Sequence, residues 1–155
     1  MSSNVREIRC SPETLFRVLG DGWLYPVWVV GASRMRQVEA EWPQTGSRLH
    51  HSFGSWPALI DDTTVCLEWD PPHRMVLQAR GWPIGEAKVT IEVKPRGEGS
   101  VVRILERADE GPGTLIPQFL MDPMLHARNN ETLRRLAFLA EGHADRQRSS
   151  APTSE

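Results

Sequence analysis

The chain has 155 residues, 18 of them Lys or Arg and 20 Asp or Glu, with a formal net charge of −2 and a pI near 6.2. This length predicts one domain with a substantial core, and the balanced charge gives no electrostatic reason to expect nucleic acid or an anionic membrane as a partner. No apolar run reaches the roughly 20 residues of a membrane span, the N-terminus lacks the apolar core of a secretory signal, and the separated Cys10 and Cys66 favour a reducing cytoplasm over a structural disulfide.

The first thirty residues predict a strand followed by two helices. Residues 5–10 alternate between apolar and charged side chains, which is typical of a strand. Ser11 can cap a helix over residues 12–19, because Pro is favoured at the first helical position. Asp21 can cap a second, shorter helix over residues 23–29, which a proline interrupts.

The middle of the chain predicts about six strands separated by turns rich in Gly and Pro. In the clearest strand, Ala87, Val89, Ile91 and Val93 alternate with polar residues, so one face of the sheet should be apolar. The short connections make neighbouring strands antiparallel. The strands are expected at residues 35–39, 48–53, 63–69, 74–80, 86–94 and 100–108.

A long helix is predicted over residues 122–142. Asp122 is a suitable N-cap, Pro123 a suitable first residue, and Gly142 a suitable stop. Toward the N-terminus the inward face turns polar, which fits either a cavity wall or the point where the helix leaves the core. The apolar part of that face recurs at helical spacing and consists of Leu133, Leu136, Ala137 and Ala140.

These elements predict one domain over residues 1–142. The remaining residues, 143–155, are polar and rich in Ser and Ala, so we expect a disordered tail there. Only the C-terminal helix is long enough to cover the apolar face of the sheet.

The order of elements and several stretches of sequence also resemble a known superfamily. The stretches are SPETLFRVLGDG, YPVWVVGA, EWPQTGSRLHHSFG, WDPPHRMVLQARG, EGSVVRILERADEGP and RNNETLRRLAFLAE. They are similar to the START-like, or birch-pollen-allergen-like, helix-grip superfamily (SRPBCC), and in particular to its bacterial polyketide cyclase/dehydrase-like branch. The resemblance implies an α+β helix-grip fold, in which a curved antiparallel sheet of about seven strands (β-α-α-β6-α) wraps around a long C-terminal helix. It further implies a deep apolar cavity between sheet and helix, with no metal or organic cofactor.

Three functions are compatible with such a cavity. The first is binding of a hydrophobic small molecule, such as a lipid, a polyketide or another ring-containing compound. The second is a polyketide cyclase/dehydrase-like enzyme that uses cavity side chains as general acids and bases. The third is a protein-interaction module, a homodimer for example, that uses aromatic residues at the rim.

Three titratable side chains are candidates for proton transfer. His51 shares the face of Leu49 and Phe53, so it should point into the cavity or be satisfied there by a neighbouring hydroxyl or carbonyl. Glu106 shares an apolar strand face and needs an arginine or a ligand hydroxyl as its partner, unless the strand end is wet. His126 lies on the predicted inward face of the long helix.

The remaining candidates are ligand-contacting residues. For each tryptophan, core filling is favoured over ligand contact. Two tryptophans in Trp-Pro turns either pack on their own loops or lie at a cavity mouth. Adjacent strand residues point to opposite faces, so His50 and His51 do not predict a metal site. The candidates are Trp28, Phe53, Trp56, Trp69, Trp82, Leu120, Met121 and Asn129.

Overall fold

The structure is a computed structural model that describes residues 1–81 and 85–151. Its strands are β1 (Ser2–Ile8), β2 (Ala32–Val38), β3 (Arg48–Ser55), β4 (Ala58–Asp70), β5 (Arg74–Gly81), β6 (Gly85–Arg96) and β7 (Gly99–Glu110). Its helices are α1 (Pro12–Gly20), α2 (Tyr25–Trp28) and α3 (Gln118–Ser150), with 3₁₀ turns at Gly22–Leu24 and Pro112–Leu115.

The seven strands form one antiparallel sheet in the spatial order β1-β7-β6-β5-β4-β3-β2. Strands β2 to β7 are joined in sequence, and β1 pairs with β7 at the far edge, so the two short helices connect the two edges of the sheet. This order confirms the predicted α+β helix-grip fold. Helix α3 lies against the sheet as its cover.

The first two helices begin where their capping residues predict. Ser11 Oγ accepts a hydrogen bond from the backbone N–H of Thr14 at 3.2 Å, and Pro12 occupies the first turn of α1. Asp21 accepts from the N–H of Trp23 at 3.0 Å and starts the 3₁₀ turn that leads into α2. Both caps orient the chain so that α2 reaches the edge of the sheet.

Both predicted ends of the long helix are wrong. Helix α3 begins at Gln118, so Asp122 and Pro123 lie inside it, where Pro123 removes only one backbone hydrogen bond. The helix also continues through Gly142 to Ser150. Residues 143–150, which we expected to be disordered, are therefore helical, and residues 152–155 of the predicted tail lie outside the described residues.

Contacts beyond Gly142 explain why the helix continues. Ala144 packs against the core. Gln147 accepts a hydrogen bond from the Thr14 hydroxyl of α1 at 3.3 Å. These tertiary contacts outweigh the weak helical preference of a single glycine, which costs only about 1 kcal/mol.

The core fills one half of the space between α3 and the sheet. Leu133, Leu136, Ala137 and Ala140 are buried there, as the helical spacing predicts. They share one apolar cluster with α1 and with a buried row formed by directly opposed residues of β5, β6 and β7. That row is Met75, Ile91 and Ile104.

A register shift in β4 changes which side chains face the core. Thr64 and Cys66 point inward and are completely buried. The shift between Cys66 and Glu68 returns Trp69 to the inner side, where its ring lies 5.2 Å from that of Phe16 in α1. Simple alternation cannot predict this arrangement, because a bulge inserts one residue into the period.

Replacement of Leu136 by Ala should lower the free energy of unfolding by about 3 kcal/mol, because Leu136 is completely buried and its removal leaves a cavity. The matched control is Phe138→Ala on the same helix, where the side chain is 69% exposed and the change should stay within about 0.5 kcal/mol. Urea unfolding of the two variants measures both values. Equal losses would contradict the proposed packing of α3.

Candidate functional site

A cavity of about 410 Å³ separates the N-terminal half of α3 from the sheet. Strands β5, β6 and β7 form its floor, the N-terminal half of α3 covers it, and α2 with the following residues closes one side. The volume lies in the range of roughly 300–1,000 Å³ that is usual for small-molecule sites.

The cavity exists because side chains become smaller along the sheet. Ala79, Ala87 and Ala108 lie directly opposite one another on β5, β6 and β7, and all three line the cavity. Their methyl groups cannot reach α3, whereas the larger Met75 and Ile91 fill the same space at the core end. This cross-strand row of alanines was missed by sequence reasoning, although the alternation within β6 placed Ala87 on the apolar face.

Glu106 is the buried carboxylate of the cavity, with 3% of its surface exposed. Both of its oxygens accept hydrogen bonds from Nη2 of Arg128, and Oε2 also accepts from Nδ2 of Asn129 at 2.9 Å. The expected arginine partner is therefore present, and the alternative of a wet strand end does not apply. Arg128 itself was not anticipated, although a buried carboxylate requires such a partner.

His51 forms the second polar group and is only 1% exposed. Its Nε2 lies 2.9 Å from the hydroxyl oxygen of Thr64, and the hydroxyl of Tyr25 lies 3.0 Å from the same oxygen. The rings of Tyr25 and His51 pack with centroids 5.3 Å apart. His51 is thus partly satisfied by a neighbouring hydroxyl, and it lines the cavity as well.

Two buried nitrogens in the cavity wall have no hydrogen-bond partner among the described residues. They are Nδ1 of His51 and Nε1 of Trp28, and both side chains line the cavity. A buried polar atom without a partner costs about 1–3 kcal/mol. Native proteins leave few such atoms. Each of these two nitrogens exposes less than 1 Å² of surface, so neither is open to the cavity in this structure.

Burial keeps two polar side chains of this wall, His51 and Tyr25, neutral. It lowers the pKa of the His51 imidazole below its ordinary value, and the nearby Asp62 carboxylate opposes this shift only in part. Burial also raises the pKa of the Tyr25 hydroxyl to about 12. At neutral pH the wall therefore presents an uncharged imidazole and an uncharged phenol.

Six predicted site residues lie together in this cavity. Four of them were proposed as ligand contacts and two as acid or base groups. They are Trp28, Phe53, Met121 and Asn129, and His51 and Glu106. Sequence reasoning missed Tyr25 and Thr64, because the facing of β4 was not predictable and Tyr25 lies in a short helical segment without a clear period.

Four predicted residues lie elsewhere. The side chain of His126 is exposed, because Leu125, Arg128 and Asn129 form the inward stripe of α3. Trp56 is 84% exposed at the β3–β4 hairpin, where no neighbouring element covers it. The other two are Leu120, which is exposed on the first turn of α3, and Trp69, which packs on Phe16 away from the cavity.

Trp82, the last predicted contact, lies outside the described residues. Within residues 1–81 and 85–151, no helix is long and apolar enough to cross a membrane. In the same part of the chain, no three His, Cys, Asp or Glu side chains are grouped so that they could hold a metal ion.

Comparison with known proteins identifies the family. Residues 2–141 match the family described as polyketide cyclase / dehydrase and lipid transport. No curated protein matches the sequence. Similar solved structures include a protein from Nitrosomonas europaea, which is 17% identical with a TM-score of 0.71, the match covering 92% of this chain and 95% of that one.

Two further solved structures share the fold. Ara h 8.0201 is 11% identical with a TM-score of 0.68, and the match covers 90% of this chain and 96% of that one. DynU16, a protein of the dynemicin biosynthetic locus, is 15% identical with a TM-score of 0.66, and the match covers 90% of this chain and 46% of that one. At these identities the likeness shows the fold alone. Because the family match spans most of the sequence, the chain belongs to the polyketide cyclase/dehydrase and lipid transport family.

Proposed function

We propose that the protein binds a neutral, largely apolar small molecule in the cavity between the sheet and α3. The observation that carries this proposal is the cavity of about 410 Å³, whose lining is mostly apolar and whose charged side chains pair with one another. Burial of apolar surface supplies the affinity.

The charges that line the cavity cancel, which supports a neutral ligand. Glu106 pairs with Arg128, and Glu86 accepts a hydrogen bond from Nε of Arg80 at 2.6 Å. An anionic ligand would have to compete with a carboxylate that is already in place for either arginine. A neutral ligand leaves both pairs intact.

The family description agrees with this proposal, since it names both lipid transport and polyketide chemistry. It leaves open whether the ligand is carried or changed. The interaction hypothesis stays a prediction, because only Trp56 of the two rim tryptophans lies among the described residues.

A second candidate function is acid–base chemistry on the bound compound. The observation that favours it is the neutral His51 imidazole, which lines the cavity and lies next to the hydroxyl of Thr64. A neutral imidazole can take a proton from a bound compound at neutral pH. Glu106 is a poorer base, because Arg128 and Asn129 already occupy its oxygens.

Filling the alanine row should weaken binding. Ala87→Leu places a larger side chain in the cavity floor, and we expect it to weaken binding of the neutral fluorescent probe N-phenyl-1-naphthylamine by about tenfold or more, or about 1.4 kcal/mol. The control is Ala127→Leu, which changes an exposed position on α3. This variant should bind the probe as tightly as the wild type. Fluorescence titration gives the three affinities. Unchanged affinity in Ala87→Leu would place the probe outside this cavity.

The lowered pKa of His51 predicts a dependence of stability on pH. The folded state disfavours the imidazolium form of His51, so the unfolded state binds the proton more readily. The free energy of unfolding is therefore highest above the unfolded pKa of about 6.5, and it falls as the pH drops below that value. The Asp62 carboxylate and a hydrogen bond with the Ser52 backbone oppose this lowering of the pKa, and Arg36 and His50 add to it. Urea unfolding at pH 7.5 and 5.5 should therefore show a larger loss for the wild type than for His51→Gln. Equal losses would mean that His51 titrates normally.

A further inference from the structure

Arg128 keeps hydrogen-bond donors that its ion pair does not use. A guanidinium group carries five N–H donors, two on each Nη and one on Nε. Nη2 of Arg128 donates to both oxygens of Glu106, whereas neither Nη1 nor Nε donates to a described residue. Three N–H groups of this side chain are therefore left for another partner.

These donors are more accessible than the unpartnered nitrogens of His51 and Trp28. The Arg128 side chain lines the cavity and is 33% exposed, while the Glu106 side chain is only 3% exposed. Among the described residues, the buried side-chain nitrogens without a partner belong to His51, Trp28 and Trp42, and Nη1 and Nε of Arg128 are not among them. The guanidinium is thus the member of the ion pair that a ligand can reach.

Glu106 determines which kind of acceptor can use these donors. It neutralises the charge of Arg128, and its Oε2 is held from a second direction by Nδ2 of Asn129 at 2.9 Å. A carboxylate ligand at Arg128 would lie close to this buried carboxylate, and like charges repel strongly where little water screens them. A carbonyl or hydroxyl oxygen accepts from the guanidinium without that repulsion.

A second arginine of the lining is less suited to this role. Nε of Arg80 donates to Glu86 at 2.6 Å, and both side chains line the cavity. The Arg80 side chain is 64% exposed, however, so water competes for its remaining donors. A hydrogen bond from the less exposed Arg128 discriminates more strongly between ligands.

We propose that Arg128 is the specificity-determining residue of the cavity, where it binds the acceptor oxygen of a neutral, apolar compound such as a ketone or an ester, and that Glu106 excludes carboxylates. The proposal rests on the proposed function, because it requires a neutral apolar ligand in the cavity. It adds that the ligand carries an acceptor oxygen and that this oxygen lies at the N-terminal half of α3.

The test compares three naphthalenes of similar size: the ketone 2-acetylnaphthalene, the hydrocarbon 2-isopropylnaphthalene and the anion 2-naphthoate. Equilibrium dialysis against the full-length protein gives their affinities. The wild type should bind the ketone about tenfold more tightly than the hydrocarbon, because only the ketone accepts a hydrogen bond from a charged donor. It should bind 2-naphthoate about tenfold more weakly than the ketone, because of the repulsion by Glu106.

Glu106→Gln should remove the discrimination against the anion. The substitution keeps the size of the side chain and one acceptor oxygen but leaves the charge of Arg128 unpaired. The affinity for 2-naphthoate should therefore rise by about tenfold or more, while the affinity for the ketone changes much less.

The matched control is Glu92→Gln, which removes a carboxylate from a similar ion pair on the opposite face of the sheet. Glu92 lies directly opposite Arg103 on β6 and β7 and accepts a hydrogen bond from its Nε at 2.9 Å. The neighbouring Ile91 and Val93 point to the core, so Glu92 points away from it. This variant should bind all three compounds as the wild type does.

Removal of the donor should remove the preference for an oxygen. Arg128→Met keeps an unbranched side chain, and it should bind the ketone and the hydrocarbon with nearly equal affinity. Because this variant leaves the buried Glu106 without its arginine, the same measurement is made on the double variant Glu106→Gln/Arg128→Met, which contains neither charge. The double variant should bind the hydrocarbon like the wild type and show no preference for the ketone.

The possible failures are distinguishable. If neither neutral naphthalene binds to the wild type, the proposed function is wrong and Arg128 has no ligand to select. If the ketone and the hydrocarbon bind equally well, the binding proposal stands and the role of Arg128 is overturned. That role is also overturned if the double variant still prefers the ketone, or if Glu92→Gln raises the affinity for 2-naphthoate as much as Glu106→Gln does.

Discussion

The packing of one apolar stripe of α3 on the sheet is the constraint on which the rest of the structure depends. Leu133, Leu136 and the two alanines of the stripe hold the C-terminal half of the helix against the core. A continuous helix held firmly at one end limits how closely its other end can approach the sheet. Because the sheet presents only the small side chains of alanines there, the space between the helix and the sheet stays empty.

The buried polar groups around this volume fall into two sets: those with hydrogen-bond partners and those without. The Glu106 carboxylate is matched by Arg128 and Asn129, and this match fixes the N-terminal half of α3 relative to β7. On the opposite wall, His51 and Trp28 keep one nitrogen each without a partner. The first group has the character of a structural clamp, whereas the two nitrogens of the second are buried away from the open cavity.

Neutrality links the proposed ligand to the proposed chemistry. In each ion pair of the cavity lining the two charges cancel, and burial keeps both the imidazole and the phenol uncharged. Such a site favours a neutral guest, and it favours proton transfers that create no net charge.

The sequence by itself determined the elements and their faces, because hydrophobic period, caps and turns act over a few residues. The period of β6, the Ser11 cap and the stripe from Leu133 to Ala140 all appear in the structure as predicted. His51 and Glu106 could be assigned to the inner face for the same reason. The tertiary structure decided what depends on contacts distant in sequence: the continuation of α3 past Gly142, the bulge that turns Trp69 inward, and the exposure of His126. It also decided the joining of Tyr25, Thr64 and His51, since three residues from different elements meet only after the sheet has formed.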